Sequence, residues 1–312
     1  MPSGDAAEHF VTLFDSSFLA QGLSLYRSLE RHARPFVLWV ICMDRAAEER
    51  LRELSLPSAR LLALAEVETA ALKAVRPTRS VGEYCWTITP FTPQFVFDRD
   101  PSVRRVTYLD ADLFFFSDPR RLLAELDASG RDVLITPHAY SPGNDLSERS
   151  GIYCVQFVTF RNTGEGRRVL RWWQDRCVEW CYARLEDGKF GDQKYLDDWP
   201  RRFEGIVHVL QHVELAQGPW NASRFAGTTP VFFHFHGLRA AGQRKLLLYG
   251  GYRLGEQARR PYRAYLPELS GAMAECRGRW GEDGLARVHG GAMERLRRLR
   301  LSLKGALRYA EY

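Results

Sequence analysis

The chain has 312 residues, enough for one large domain or two small ones, and either can bury a sizeable core. It is 45% hydrophobic, 26% charged and 12% aromatic, with 25 Gly and 15 Pro, which excludes disordered, collagen-like and low-complexity classes. The formal charge is +6, and residues 291–312 hold six basic side chains (Arg295, Arg297, Arg298, Arg300, Lys304, Arg308) against Glu294 and Glu311; a charge this lopsided does not describe a nucleic-acid binder with a basic groove through its fold.

The opening MPSGDAAEHF carries acids and polar groups where a secretory leader needs a basic start and an apolar run. No segment offers the roughly 18 apolar residues of a membrane span. The expectation is a cytoplasmic chain. A first strand, HFVTLFD, ends at Asp15, and a helix, SSFLAQGLSLYRSLE, follows at once with serines suited to capping it. PFVLWVICMD reads as a buried second strand and AAEERLRELS as a short amphipathic helix, so a βαβ rhythm is clear by residue 55.

LLAL and a helix near residues 83–98, broken by Pro90 and Pro93, lead to RRVTYLDADLFFFSDP, a strand up to Leu109 with Asp110 at its carboxyl end. DVLITPH and YCVQFVTFRN are strands, separated by HAYSPGNDLSERSG, a turn-rich candidate for a mobile loop. GRRVLRWWQDRCVEWCYARL is a long amphipathic helix, GIVHVL and VFFHFHG are further strands, and beyond residue 250 the periodicity is helical and basic. The alternation predicts an α/β fold with a mostly parallel central sheet flanked by helices. The six cysteines form no CxxC pair and read as reduced, buried thiols, with Cys177 and Cys181 packed one helical turn apart.

Asp110-Ala111-Asp112 is the most informative stretch. Two carboxylates one residue apart, just past a buried strand, sit where open α/β sheets bind ligands. Hard oxygen ligands there suit Mg²⁺ or Mn²⁺. The flanking Tyr108-Leu109 and Leu113-Phe114-Phe115-Phe116 would leave unpaired charge costly, and a cation relieves that cost. His234 and His236 alternate in VFFHFHG and would share one strand face, where one imidazole could complete a metal site or both could be hydrogen-bonded core histidines. An imidazole beside two carboxylates favours Mn²⁺ over Mg²⁺.

Asp192-Gln193 opens a helical stretch after a glycine, and capping is a sufficient role for Asp192 but not for Gln193. Trp220-Asn221 pairs a flat apolar face with a two-way hydrogen bonder, a common way to hold a sugar ring, and His138 opens the turn-rich loop nearby in the order of elements. GxxxxGK[ST], GxGxxG, HExxH and GxSxG are all missing, which argues against a P-loop NTPase, a Rossmann dehydrogenase, a zincin and an α/β-hydrolase.

Together, VTLFDSSFLAQGLSLYRSL, VTYLDADLFFFSDP, FGDQKYL and HFHG, in this order over residues 9–250, resemble glycosyltransferases of the GT-A fold. The resemblance is to the family 8 group that includes glycogenin and bacterial lipopolysaccharide galactosyltransferases. It implies a GT-A nucleotide-diphospho-sugar transferase unit over residues 1–250 and a helical, basic extension over 251–312. It also implies that Asp110, Asp112 and His234 hold Mn²⁺ or Mg²⁺, that His236 is a neighbour, and that Thr12, Phe14 and Asp15 hold the nucleotide base. Gly237 and Lys245 fall near the family's diphosphate-binding glycine and lysine, although GxxKPW is missing and Arg244 is an alternative.

Asp192-Gln193 would lie near the reacting sugar carbon and transfer would retain configuration, with a UDP-sugar as donor and His138, Trp220, Asn221 and His236 at the sugar or acceptor. Where the family has NxG, this chain has Tyr153-Cys154-Val155-Gln156, which leaves the sugar unassigned.

Met293, Leu296, Leu299, Leu303 and Leu307 recur at helical spacing among the arginines of the tail, predicting an amphipathic helix over 293–310. It suits either an anionic membrane surface, and so a lipid-linked or glycan acceptor reached from the cytoplasmic face, or packing on its own domain. Two other functions compete: a sugar-binding pseudoenzyme, which tolerates loss of the DxD acids, and a nucleotidyltransferase, which needs a glycine- and arginine-rich triphosphate loop that is missing here.

Overall fold

The computed structural model describes residues 7–242, 244–288 and 291–311, apart from the side chains of 292–295. Residues 1–6 of the opening segment and the side chains of Met293 and Arg295 in the tail therefore lie outside the described parts of the chain.

The strands, in chain order, are β1 (Glu8–Phe14), β2 (Phe36–Cys42), β3 (Ala59–Ala63), β4 (Arg105–Leu109), β5 (Leu113–Phe115), β6 (Val133–Pro137), β7 (Tyr153–Arg161), β8 (Val207–Val209), β9 (Ala216–Gln217), β10 (Phe232–His234), β11 (Arg239–Ala240), β12 (Lys245–Gly250) and β13 (Leu307–Glu311). The main sheet has seven strands in the order β3-β2-β1-β4-β7-β6-β8. Its pairs are parallel except at β7, which runs antiparallel to both β4 and β6, as the mostly parallel reading predicts.

Alternation along β1 explains the layering: Phe10 and Phe14 enter the core on one face, while Val11 and Leu13 enter the core on the other. The order of strands also places the site. The chain winds outward from β1 through β2 to β3 and then returns to the opposite side of β1 with β4. A crevice opens at such a reversal, outside the carboxyl ends of the two strands. Asp15 follows the end of β1 and Asp110 follows the end of β4.

A second sheet, β5-β10-β9, supplies the histidine. Asp112 leads directly into β5, β10 pairs antiparallel with β5 so that His234 faces Leu113, and the Phe235 N–H donates to the Asp112 carbonyl at 2.9 Å. That last bond ends the strand at His234, so His236 lies beyond it and the predicted VFFHFHG strand is shorter than its pattern implied.

Three further expectations need correction. The 3-10 turn Ser16–Phe18 that leads into the first helix is capped by Asp15, whose Oδ1 accepts from the Ser17 N–H at 2.9 Å and the Ser17 hydroxyl at 2.6 Å; the serine is the donor, and the helix Leu19–His32 itself has no side-chain cap. The aromatic helix spans Gly164–Glu179, leaving Cys181 beyond it, though both Cys177 and Cys181 are buried. The tail helix stops at Leu303: Gly305 turns with φ +65, and Leu307 starts β13, which pairs with β12. Glycine takes that left-handed conformation without a Cβ clash, and the open edge of β12 rewards the turn with a ladder.

The long helix Arg260–Trp280 lies against the helix Leu19–His32, joined by Arg27–Glu275 and Arg31–Glu268 ion pairs, and shares their core through Tyr262, Tyr265 and Met273. Among the described residues, no helix is long and apolar enough to cross a membrane.

Candidate active site

Asp110, Asp112 and His234 meet in the crevice, with one ligand atom from each lying within 4.8 Å of the others. His234 Nε2 is 2.9 Å from Asp112 Oδ1 and 3.7 Å from Asp110 Oδ2. On the other side of the ring, Nδ1–H donates to Gln156 Oε1 at 2.8 Å. The Tyr108 hydroxyl donates to Asp110 Oδ1 at 2.8 Å. Each ligand comes from the end of a strand, which sets its direction before any ion arrives.

The electrostatics show too much negative charge in too little water. Burial raises the pKa of Asp110, partly countered by His234, and raises that of Asp192 far more, with the Asp110 charge adding to the shift. Burial would raise Asp112 as well, but the facing His234 outweighs it and holds the carboxyl well below its usual range. His234 is correspondingly pushed well above its ordinary value, because the Asp112 carboxylate overcomes the burial of the ring. A divalent cation fits this donor set: two carboxylate oxygens and one imidazole nitrogen within ligand reach, in a pocket whose own charges repel.

Around this centre the predicted residues divide. Asp192 is buried beneath the site and makes no capping bond with its side chain, so the capping role assigned from sequence does not hold. Its carbonyl accepts from Trp173 Nε1–H at 2.9 Å, which fixes its backbone. Gln193 donates from Nε2 to the Ser150 carbonyl at 2.7 Å; with Lys194 Nζ on the Ser147 carbonyl at 3.2 Å and the Ile152 N–H on Asp197 at 2.7 Å, it clamps the end of the 138–150 loop.

His138 is buried and stacks on Tyr140 at 4.7 Å; burial pushes its pKa down to about 3, so the ring is neutral, and its Nδ1 has no partner. His236 lies 5.5 Å from the His234 ring and 6.2 Å from Trp220.

Trp220 is only 3% exposed and packs edge to face against His138 and His234, both at 5.3 Å. It also covers Gly218 so closely that a Cβ there would lie 2.5 Å from the indole. The open flat face expected for a sugar is therefore not available, although the indole N–H is buried and unpartnered. Asn221 is a clearer correction. It is 0% exposed and its amide is used within the fold: Nδ2 donates to the carbonyls of His138 and Ala216 at 2.9 and 3.0 Å, and Oδ1 accepts from the Gly218 N–H at 2.9 Å.

The donor-binding set is also redrawn. Thr12 is fully buried in mid-sheet, and the Phe14 ring lies in the core against Gly22, where a Cβ would lie 2.5 Å from it, so Phe14 has no face to offer a base. Asp15 remains at the crevice, with its Oδ1 engaged by Ser17. Gly237 makes the turn after β10 with φ +78. Lys245 is exposed on β12, opposite Glu311, with Nζ 4.9 Å over the Tyr309 ring.

Two residues went unassigned in the sequence. Gln156 carried a signal, standing where the resembled family has a glycine. Arg239 carried none beyond its place in HFHGLRAAG. Its guanidinium lies 4.8 Å over the Phe18 ring, and the charges of Asp112 and Asp15 both act on it. Beyond Asp15, a cavity of about 900 Å³ opens, lined by Ser16, Ser17, Arg244, Arg277 and Arg287 among others, with none of the three metal-site residues in its wall.

No protein-family model matches the chain. YfnF of Bacillus subtilis is 31% identical over 246 residues, covering 74% of this chain and 81% of its own, and YfnD of the same organism is 29% identical over 264 residues, covering 80% and 84%; both are uncharacterized proteins. Among solved structures, the galactosyltransferase LgtC, in complex with donor and acceptor sugar analogs, superposes with a TM-score of 0.53 at 13% identity, covering 86% of this chain and 99% of LgtC. An active-site glutamine-to-glutamate variant of LgtC matches equally, with a TM-score of 0.53. The chain therefore belongs to the protein family of YfnF, and it carries the GT-A fold of the glycosyltransferase LgtC.

Proposed function

We propose that the protein is a metal-dependent glycosyltransferase that moves a sugar from a nucleotide-diphosphate donor, a UDP-sugar in the first instance, to a hydroxyl acceptor on a glycan or glycolipid, with retention of configuration. The observation that carries this reading is the Asp110-Asp112-His234 cluster at the reversal point of the sheet. Mn²⁺ or Mg²⁺ held by these three side chains would offset the negative charge that develops on the leaving diphosphate.

The chain's own groups do the rest. Arg239, between Asp112 and Asp15, takes the role first given to Lys245 and faces the donor phosphates, while the nucleoside extends past Asp15 towards the cavity at Ser16 and Ser17. Asp192, whose pKa burial raises, faces a sugar hydroxyl and hydrogen-bonds to it. With its Nε2 engaged by Ser150, Gln193 is left with its carbonyl oxygen to face the developing oxocarbenium-like carbon; a glutamine also stands in the active site of LgtC. His138 and Trp220 offer unpartnered nitrogen atoms to further sugar oxygens. Residues 1–250 form the catalytic unit in this reading, with 251–312 laid on it.

A thermal-shift screen against UDP-, GDP-, dTDP- and CMP-sugars, each with and without Mn²⁺, tests this, because a ligand at 100 times its Kd stabilises the native state by about 2.7 kcal/mol. One nucleotide should raise Tm only with Mn²⁺, the shift should vanish in Asp110→Ala and shrink in Arg239→Ala, and Lys245→Ala should behave as the wild type. No shift with any donor in folded protein would return the chain to the class of binding modules.

The tail supports a second element of the proposal, a peripheral position on an anionic membrane facing the cytoplasm. Leu296, Leu299 and Leu303 are 44%, 57% and 81% exposed on the helix Ala292–Leu303, and Arg300 and Lys304 stand among them. Because the residues after this helix form β13, deleting the tail would remove a strand; replacing the three leucines with serine is the cleaner test. Cosedimentation of the full chain with phosphatidylglycerol vesicles should fall by on the order of 10-fold. Unchanged cosedimentation would refute the membrane position.

A further inference from the structure

We propose that Gln156 is the positioning residue of the cation site, setting the tautomer and direction of His234; the proposal rests on the reading of Asp110, Asp112 and His234 as that site. Gln156 is fully buried on β7 and touches two of the three ligands by different atoms. Its backbone carbonyl accepts from the Asp110 N–H at 3.1 Å, and its side-chain Oε1 accepts from His234 Nδ1–H at 2.8 Å. Asp110 ends a strand of the main sheet and His234 ends a strand of the small one, so this residue ties the two sheets together where the ligands converge.

The chemistry depends on which imidazole nitrogen keeps its proton. With Nδ1–H given to Gln156, Nε2 is the nitrogen directed at Asp112 and Asp110, and so the one that gives up its proton and takes the cation in its place. The opposite tautomer would aim an N–H into the site and repel the ion. A carboxylate at position 156 could accept the same hydrogen bond, but the pocket already gathers the carboxylates of Asp110 and Asp112 around His234. A neutral amide orients the ring without adding charge.

The backbone shows how the side chain reaches this place. The register between β6 and β7 slips between Leu134 and Thr136, opposite the stretch of β7 that contains Gln156, and such irregularities redirect side chains beside sites. Gln156 Nε2 is buried without a partner. A donor left in that condition costs about 1–3 kcal/mol, so packing alone would favour an apolar residue here.

The test is Mn²⁺ binding by the full chain at fixed pH, read by electron paramagnetic resonance, in the wild type, Gln156→Leu and Gln156→Glu, with His234→Ala as the ligand-loss reference. Gln156→Leu should raise the Kd by about 10–100-fold, the range typical of lost hydrogen-bond partners of ligating histidines. Gln156→Glu, which still accepts from Nδ1–H, should bind within about threefold of the wild type or more tightly.

In metal-free, nitrogen-15-labelled protein, the Nδ1-bound proton of His234 should be visible in the wild type and Gln156→Glu and lost in Gln156→Leu. Gln156→Met takes the place of the leucine variant if that does not fold. A leucine or methionine variant that binds Mn²⁺ as the wild type does, or a glutamate variant as weak as the leucine one, overturns the role of Gln156. A folded wild type that binds no Mn²⁺ overturns the metal reading itself, and the role of Gln156 with it.

Discussion

Asp112→Asn should lower Mn²⁺-dependent donor hydrolysis and transfer by roughly 10³-fold or more, the rate equivalent of about 4 kcal/mol of lost charge stabilisation. The substitution keeps the size of the side chain and removes its charge. Asp112 is the carboxyl that faces His234 most closely, and the imidazole holds its pKa below the usual carboxylate range. It also lies 2.9 Å from His234 Nε2, so one change removes both an oxygen ligand and the charge opposite the imidazole.

Asp110, half-buried and already held by the Tyr108 hydroxyl, should be the less damaging position when changed to asparagine. The measurement is steady-state donor hydrolysis at saturating Mn²⁺, with circular dichroism to show that the variant is folded. A folded Asp112→Asn protein with a tenth or more of wild-type activity would show that the carboxylate is not a metal ligand.

The site was legible in the sequence wherever chemistry demands a residue type at a strand end. Two carboxylates after a buried strand and a histidine in HFHG have few apolar substitutes, and the family resemblance implied that they meet. What the pattern could not supply was the direction of the large side chains. Phe14 turns into the core because Gly22 of the adjoining helix leaves room for its ring, and Trp220 lies over its own chain because Gly218 does the same. Both glycines are visible in the sequence, but the contact each receives is decided by packing, not by spacing.

The surroundings of Lys245 were set by topology: Arg239 and Ala240 pair with β12, which in turn pairs with β13, so Lys245 lies opposite Glu311 and over Tyr309. Leu307 fits the helical repeat of the tail, yet a glycine two residues earlier and the free edge of β12 made a strand the better partner. In each case the local pattern was correct as a pattern and a tertiary contact decided the outcome.

The largest expected loss of stability among polar substitutions follows from the same distinction. Asn221→Ala should destabilise the protein by roughly 3–5 kcal/mol and lower Tm by roughly 5–8 °C. Asn221 is 0% exposed, and removing its amide takes a side-chain partner from the carbonyls of His138 and Ala216 and from the N–H of Gly218 in the interior.

Because one of those carbonyls belongs to His138, the start of the 138–150 loop loses its anchor at the same time, while the end of the loop stays clamped by Gln193, Lys194 and Asp197. Activity should therefore fall in proportion to the unfolded fraction and to the misplacement of His138, and it should recover in part on cooling. Differential scanning calorimetry of the variant decides the matter. A Tm within about 2 °C of the wild type, combined with a raised KM for donor or acceptor, would return Asn221 to the role of a sugar-binding side chain and would mean that its three backbone bonds are exchanged for substrate contacts during the reaction.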